Sequence, residues 1–344
     1  MKHLSSSWKD GLVKENLTKE IMIRPHISSY LWRYLLPSGE MFLFSMLTGC
    51  IDILSIKETI TFLEMEQQPG MSRGSDDRLA TALAARGYLW YEAESEQRVA
   101  ENLMQSLARQ AMQRPLMFFL CVNHACPVGC RHCFELDIPV TTQDRPMSTE
   151  MIQSAFNAMN TIRAEMGREG RIINLFGGEP FLPQAFESVR TALDLAHDDG
   201  CRITTFTSGV FLESYLPLLC EHGKDFDWIS VTLDVSEEQH NRRRRIHDAF
   251  TRTAANIDRL LESGLPVIVR ANLDRENIGS LAEMVETFRQ RGWRDRPNFR
   301  VQISPVTDHH CVRTDQIVLD EASLVLTLEA VRSESPETRI LLDR

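Results

Sequence analysis

Six apolar stretches recur along the C-terminal part of the chain, at residues 116–122, 171–176, 201–206, 228–233, 266–271 and 299–303. The segments between them have the spacing of helices, and three of those stop at Gly200, Gly264 and Gly292, each just ahead of a strand. Glycine there accepts the left-handed conformation that ends a helix, so the punctuation supports the alternation. Successive strand–helix units require a parallel sheet. Six units are fewer than the eight of a closed barrel. The pattern therefore predicts an α/β fold, an open, partial (β/α)6 TIM-like barrel over residues 114–344. Chemistry in such barrels gathers at the C-terminal ends of the strands, which is where the polar motifs of this chain fall.

Ahead of the barrel the rhythm differs. An apolar run over 30–36 ends in the turn Pro37-Ser38-Gly39 and resumes over 41–44, the pattern of a hairpin. Gly49 punctuates a further strand over 51–54, and Ser55 caps a helix through Glu66. A second helix over 76–86 stops at Gly87, and a strand over 88–91 closes the set. Two short helices with a small sheet make an α+β module of winged-helix type, residues 1–92. Over 93–113, Val99, Leu103, Leu107 and Ala111 share one helical face, so this segment reads as a helix linking module and barrel.

Charge and composition narrow the partners. The chain carries 38 Lys and Arg against 48 Asp and Glu, a net charge of −10, and its first hundred residues hold 11 basic and 13 acidic ones. Neither balance offers the basic footprint of a nucleic-acid binder. The first residues lack the apolar core of a signal peptide. The longest apolar stretch, 41–56, is too short for a bilayer and is broken by Ser45, Thr48, Gly49 and Asp52. A cytoplasmic protein with no membrane partner is expected. Eight cysteines are many for that compartment, where disulfides rarely persist, so their role is sought in metal binding or catalysis.

Just after the first barrel strand stands Cys126-Pro-Val-Gly-Cys130-Arg-His-Cys133. Three thiolates converging from one tight loop can hold three irons of a [4Fe–4S] cluster, leaving the fourth iron open to a ligand. A zinc site is the alternative, with Cys121, His124 or His132 as fourth ligand, and buried free thiols are the plain one. Cys50, Cys201 and Cys220 lie in apolar contexts and are expected in the core, as is Cys121.

The three-cysteine loop after the first strand of a partial barrel resembles the radical S-adenosylmethionine (radical SAM) superfamily. Further motifs follow in the family's order. The second strand ends in Gly177-Gly178-Glu179-Pro180, similar to the element that meets the SAM amino group. By that likeness the glycines let the backbone approach a small zwitterion, and Glu179 accepts from its ammonium. The third strand ends in Thr207-Ser208-Gly209 and the fourth in Thr232-Leu-Asp234-Val235. The resemblance places Ser208, Thr232 and Asp234 near the cofactor, the last two as ribose partners, although Ser208 and Val235 depart from the usual residues. Arg244 matches an arginine that pairs with the SAM carboxylate or a substrate carboxylate, while Arg242, Arg243 and Arg245 read as a solvated helix face. Arg270 and Asn272 are further SAM ligands by resemblance, and Asn277 reads as a helix cap.

The resemblance implies that a [4Fe–4S] cluster cleaves SAM to a 5′-deoxyadenosyl radical, which abstracts hydrogen from a substrate over the barrel mouth. The motifs are most similar to the branch that modifies peptides, and the N-terminal module is similar to elements that hold a leader peptide. The implied partners are a precursor peptide and an electron donor such as flavodoxin or ferredoxin. A sulfatase or small-molecule substrate is the alternative within the family, and a non-catalytic zinc- or peptide-binding protein the alternative outside it. Only Cys311 follows Cys220, too few thiols for an auxiliary cluster in this segment. Cys311 itself, just beyond the sixth strand, reads either as a loop thiol or, by likeness to peptide-epimerising relatives, as a hydrogen-atom donor.

Overall fold

Apolar residues in the N-terminal part alternate along strands and recur every third or fourth residue along helices, and the structure follows both periods. A computed structural model describes residues 25–67, 76–130, 133, 135, 145–306, 318 and 321–334. The chain divides into two compact units, Met1–Gln113 and Arg114–Arg344. No helix among the described residues is long and apolar enough to cross a membrane.

The first unit runs β1 (His26–Ile27), β2 (Leu31–Leu35), β3 (Met41–Ser45), β4 (Ile51–Leu54), α1 (Ile56–Gln67), α2 (Asp76–Ala85), β5 (Leu89–Trp90) and α3 (Ala93–Gln113). Strands β2, β3 and β4 form an antiparallel sheet in that order, and β1 pairs with β5. Met41, Leu43 and Ser45 alternate into the core, where Leu43 and Leu54 meet Phe62, Leu83, Tyr88 and Leu89. Ser55 and Glu58 exchange hydrogen bonds at the start of α1, a capping box. Asp52, buried in β4, accepts from Arg86 Nε at 2.5 Å and Tyr88 Oη at 2.8 Å, which fixes the end of α2 on the sheet. Buried Glu96 of α3 accepts from Ser28 Oγ at 2.6 Å and the Ser29 N–H at 2.9 Å. Along α3 the packing face ends near Leu103; Leu107 is exposed.

The second unit contains β6 (Leu116–Asn123), α4 (Thr149–Glu165), β7 (Arg171–Gly177), α5 (Phe186–Asp198), β8 (Arg202–Thr207), α6 (Leu216–Glu221), β9 (Phe226–Thr232), α7 (Glu237–Arg244), α8 (Ala249–Glu262), β10 (Val267–Leu273), α9 (Leu281–Gln290), β11 (Phe299–Pro305) and α10 (Glu321–Glu334). The six strands lie side by side in chain order from β6 to β11, all parallel, and the outer two do not pair with each other. This is the open, partial barrel that the alternation predicts. Leu120 and Val122, Ile173 and Leu175, Ile229 and Val231, and Val267 and Val269 point into the helix-covered core. The alternate residues of the same strands are therefore left for the inner face. Of the cysteines expected in the core, Cys201 is buried, Cys50 and Cys121 are half-buried, and Cys220, on short α6, is exposed.

Candidate functional site: a thiol-lined cavity at the barrel mouth

Strand parity turns Phe176, Phe206, Thr232, Arg270 and Asn272 to the inner face, and the loops after β6, β7 and β8 close over them. One cavity is lined by Cys126, Cys130 and Cys133 together with Gly177, Gly178, Glu179, Ser208, Thr232, Arg244, Arg270 and Asn272. Pro180 is buried behind the wall. Cys311 and His132 lie outside the described residues.

The two glycines serve the chain itself. Gly177 has φ +124°, and a Cβ there would run into the carbonyl oxygen of Asn123, with Cys121 Sγ at 2.9 Å. A Cβ on Gly178 would stand 2.5 Å from the carbonyl oxygens of His124 and Ala125. Backbone hydrogen bonds zip this contact: the Gly178 N–H to Asn123 O at 3.1 Å and the Glu179 N–H to Ala125 O at 3.0 Å. The side chain of Asn123 donates to Glu179 O at 3.0 Å. The β7 turn thus approaches the stem of the cysteine loop closely, and both glycines also line the cavity.

That turn sets Glu179, 1% exposed, at the cavity wall. Its carboxylate accepts from Thr207 Oγ1 at 2.6 Å, Ser208 Oγ at 2.6 Å, the Ser208 N–H at 2.8 Å and the Phe181 N–H at 3.2 Å. All four donors are neutral, so the negative charge is oriented and left for a cation. Ser208 departs from the family pattern, and its hydroxyl is used to hold Glu179. Thr207, not singled out from the sequence, does the same.

The arginine run sorts by helix phase. Ser236 caps α7, its hydroxyl accepting from the Gln239 N–H at 3.4 Å, and His240, Arg243 and Arg244 fall on the buried face while Arg242 is exposed. Arg243 corrects the reading of a solvated face: it pairs with Asp274, lies 3.7 Å from Asp234 and donates to Asn272 O at 3.1 Å. Positions i, i+3 and i+4 from His240 share a face, and that period was the available signal. Asp234 is corrected too. Its side chain is fully buried and off the cavity wall, 3.2 Å from Arg244 Nη2 and 3.4 Å from His240 Nδ1. Burial alone would push its carboxyl up, but Arg244, His240 and Arg243 outweigh that and hold it well below the usual carboxylate range.

Arg244 donates to Cys130 Sγ at 2.9 Å, and its carbonyl accepts from the Gly129 N–H at 3.3 Å, so α7 is stapled to the cysteine loop. Its terminal nitrogens are engaged by Asp234 and Cys130, while its Nε, on the same cavity wall, is buried without a hydrogen bond. Arg270 is placed differently. Its guanidinium stands over the Phe206 ring at 5.6 Å, and its Nε is buried without a hydrogen bond. Burial and the charge of Arg244 lower its pKa, and among the described residues no carboxylate pairs with it. Asn277 caps no helix by its side chain; it closes a turn by accepting from the Asp274 N–H at 2.8 Å and donating to Asn272 O at 2.7 Å.

The three thiols come from one loop and line the open cavity together. Among the described residues, the group of three metal-ligand atoms gathered within 4.8 Å of one another does not include them. A single zinc with Zn–S bonds of about 2.3 Å draws its sulfurs to roughly 3.8 Å apart. The donor chemistry of three thiols on one loop and the open cavity beside them suit an iron–sulfur cluster.

Residues 120–288, which run from within β6 to the last turn of α9, match the family model of the radical SAM superfamily. That segment, just under half of the chain, holds the thiols, Glu179 and both cavity arginines, and the superfamily it matches uses a [4Fe–4S] cluster and SAM as cofactors. Among characterised relatives, a PqqA peptide cyclase of Rhizobium meliloti (strain 1021) is 26% identical over 174 residues, 50% of this chain and 43% of that protein. An AdoMet-dependent heme synthase of Methanosarcina barkeri is 26% identical over 171 residues, 48% of this chain and 45% of that protein. The chain spans less than half the length of these relatives. In fold it is similar to Streptococcus suis SuiB bound to precursor peptide SuiA, with a TM-score of 0.51 at 13% identity over 92% of this chain and 71% of that one.

Proposed function

We propose that this chain is a radical SAM enzyme that modifies a ribosomally made precursor peptide. The observation that carries the proposal is the cavity in which three thiols, an oriented Glu179 carboxylate and an unpaired Arg270 face one space. Cys126, Cys130 and Cys133 would hold the cluster. Glu179 would take the SAM ammonium, Arg270 its carboxylate, and Thr232 and Asn272 its ribose hydroxyls. When bound, the cluster and SAM supply one electron and a 5′-deoxyadenosyl radical that removes a hydrogen atom from the substrate. The protein's part is to orient these groups and keep water from them. A peptide substrate is supported by the likeness to the PqqA peptide cyclase and by β2, an edge strand among the described residues, with exposed Trp32 and Tyr34.

Anaerobic reconstitution with iron and sulfide, followed by reduction in the presence of SAM, tests the core of this reading. The parent is expected to carry one cluster and release 5′-deoxyadenosine; changing all three cysteines to Ala is expected to abolish both. Retention of iron and SAM cleavage by the triple variant would refute the site. A small-molecule substrate is the second reading, favoured by the similarity of the same segment to the heme synthase. A mass change in a candidate precursor peptide, dependent on SAM and reductant, separates the two.

A further inference from the structure

At the N-terminal ends of the barrel strands, away from the thiols, three elements bring two histidines and an aspartate together. His197 lies in the last turn of α5, His222 caps the end of α6, and Asp225 stands one residue ahead of β9. Their ligand atoms all fall within 4.8 Å of one another. Asp225 Oδ2 is 2.9 Å from His197 Nδ1 and 3.7 Å from His222 Nδ1. A tetrahedral ion with bonds of about 2.0–2.2 Å sets its ligands roughly 3.3 Å apart, and the two separations bracket that value.

Hydrogen bonding accounts for only part of this arrangement. His197 and Asp225 make an ordinary pair. His222 does not: it is 5% exposed, and its Nε2 is buried without a hydrogen bond. That nitrogen lies 3.1 Å from Asp194 Oδ1, close enough for an ion pair at an angle that no hydrogen bond uses. A carboxylate on that side favours the Nε2–H tautomer and leaves the Nδ1 lone pair toward Asp225. Carboxylate, histidine and metal follow one another in this order at many metal sites. Among the described residues neither Asp194 nor Asp225 pairs with an arginine or lysine; their partners are the two histidines.

We infer that His197, His222 and Asp225 bind one divalent transition-metal ion of the zinc class, with Asp194 orienting His222 from behind. His197 is 64% exposed at its side chain, which leaves the fourth position open to water. The ion would clamp the ends of α5 and α6 to the start of β9. A barrel strand of seven residues separates this end from the thiols by roughly 20 Å, so the site is independent of the cluster.

The test uses the full chain with Cys126, Cys130 and Cys133 changed to Ser, stripped by chelator and equilibrated with zinc alone, with bound metal measured by elemental mass spectrometry. One zinc per chain and a zinc-dependent rise in melting temperature are expected. His197→Gln, at an exposed side chain, should weaken uptake at least ten-fold with circular dichroism unchanged, and Asp194→Asn should weaken it about 10- to 100-fold. The same dependence should hold in cluster-loaded parent protein. Equal zinc affinity in parent, His197→Gln and Asp194→Asn overturns the assignment, as does no uptake at millimolar zinc. Should His222→Gln fail to fold, the two exposed-side variants decide.

Discussion

Arg244 and Arg270 share a cavity wall and differ in what already holds them. Arg244 is fixed by Asp234 and Cys130, whereas Arg270 leans on an aromatic face with no anion beside it among the described residues. Arg270→Ala is therefore expected to weaken SAM binding with iron content unchanged. A lost charge-assisted hydrogen bond is worth about 1.5–3 kcal/mol, roughly ten- to a hundred-fold in Kd by calorimetry. Arg244→Ala is expected to lower iron content and melting temperature together, because it strands the buried Asp234 carboxylate. Arg243→Ala should cost about 3–5 kcal/mol in denaturant unfolding, since Asp274 loses its buried partner. Arg242→Ala, at an exposed pair, should change little. The run of four arginines was legible as a motif, but the division of labour within it was not. Residue type gives each the same charge, and only the phase of α7 relative to His240 tells which are buried. Asp234 adds a pH signature. Its folded carboxyl ionises below the unfolded range, so its stabilisation is complete above about pH 4 and fades as pH falls through the lower folded value. The stability difference between parent and Asp234→Asn should be flat at neutral pH and shrink only in acid.

Turns set by glycine behave differently according to what faces them. At Gly200 the backbone is left-handed, φ +63°, but nothing lies within 4 Å of where a Cβ would go. Gly200→Ala should cost only the conformational penalty of about 1–2 kcal/mol. At Gly177 the backbone strain, about 1–3 kcal/mol, is joined by collision with the Asn123 carbonyl, whereas at Gly178 the cost is collision with two carbonyls alone. Alanine at either position should lower melting temperature more than Gly200→Ala does. It should also reduce cluster content, because the β7 turn and the cysteine loop are hydrogen-bonded to each other. Equal melting temperatures for all three variants would show that the turn can shift at no cost. This was the scale most legible in the sequence: strand alternation, helix stops and the capping box at Ser55 each have a local cause. The partner across a turn is not local. The glycines announced a close approach, while its object, the stem of the cysteine loop, came from strand register between β6 and β7. Cys220 was misplaced for a similar reason, since its apolar neighbours in sequence do not set which side of the short α6 faces out.

The two compact units of the molecule differ in what they leave exposed. In the first, among the described residues, β2 pairs with β3 on one side only, and Trp32, Tyr34 and Leu35 are 58%, 57% and 54% exposed. Strand parity puts Trp32 and Tyr34 on one face and Leu31, Arg33 and Leu35 on the other, and Trp32 packs edge-on against Phe42 at 5.7 Å. A free edge with aromatic side chains beside it suits an extended peptide, bound through main-chain hydrogen bonds and selected by its side chains. The network of Asp52 with Arg86 and Tyr88 keeps the sheet rigid behind that edge. A precursor peptide titrated into the full chain should bind saturably, and Trp32→Ala with Tyr34→Ala should weaken binding about ten-fold. A copy of the peptide with alternate backbone amides methylated should bind worse still, since it cannot add a strand, whereas SAM cleavage in the absence of peptide should be the same in parent and variant. Duplex DNA should not compete, given 11 basic against 13 acidic residues in the first hundred. Undiminished binding of the methylated peptide would remove strand addition as the mode of capture. Salt-dependent DNA binding without peptide binding would reassign the unit and take away its support for a peptide substrate.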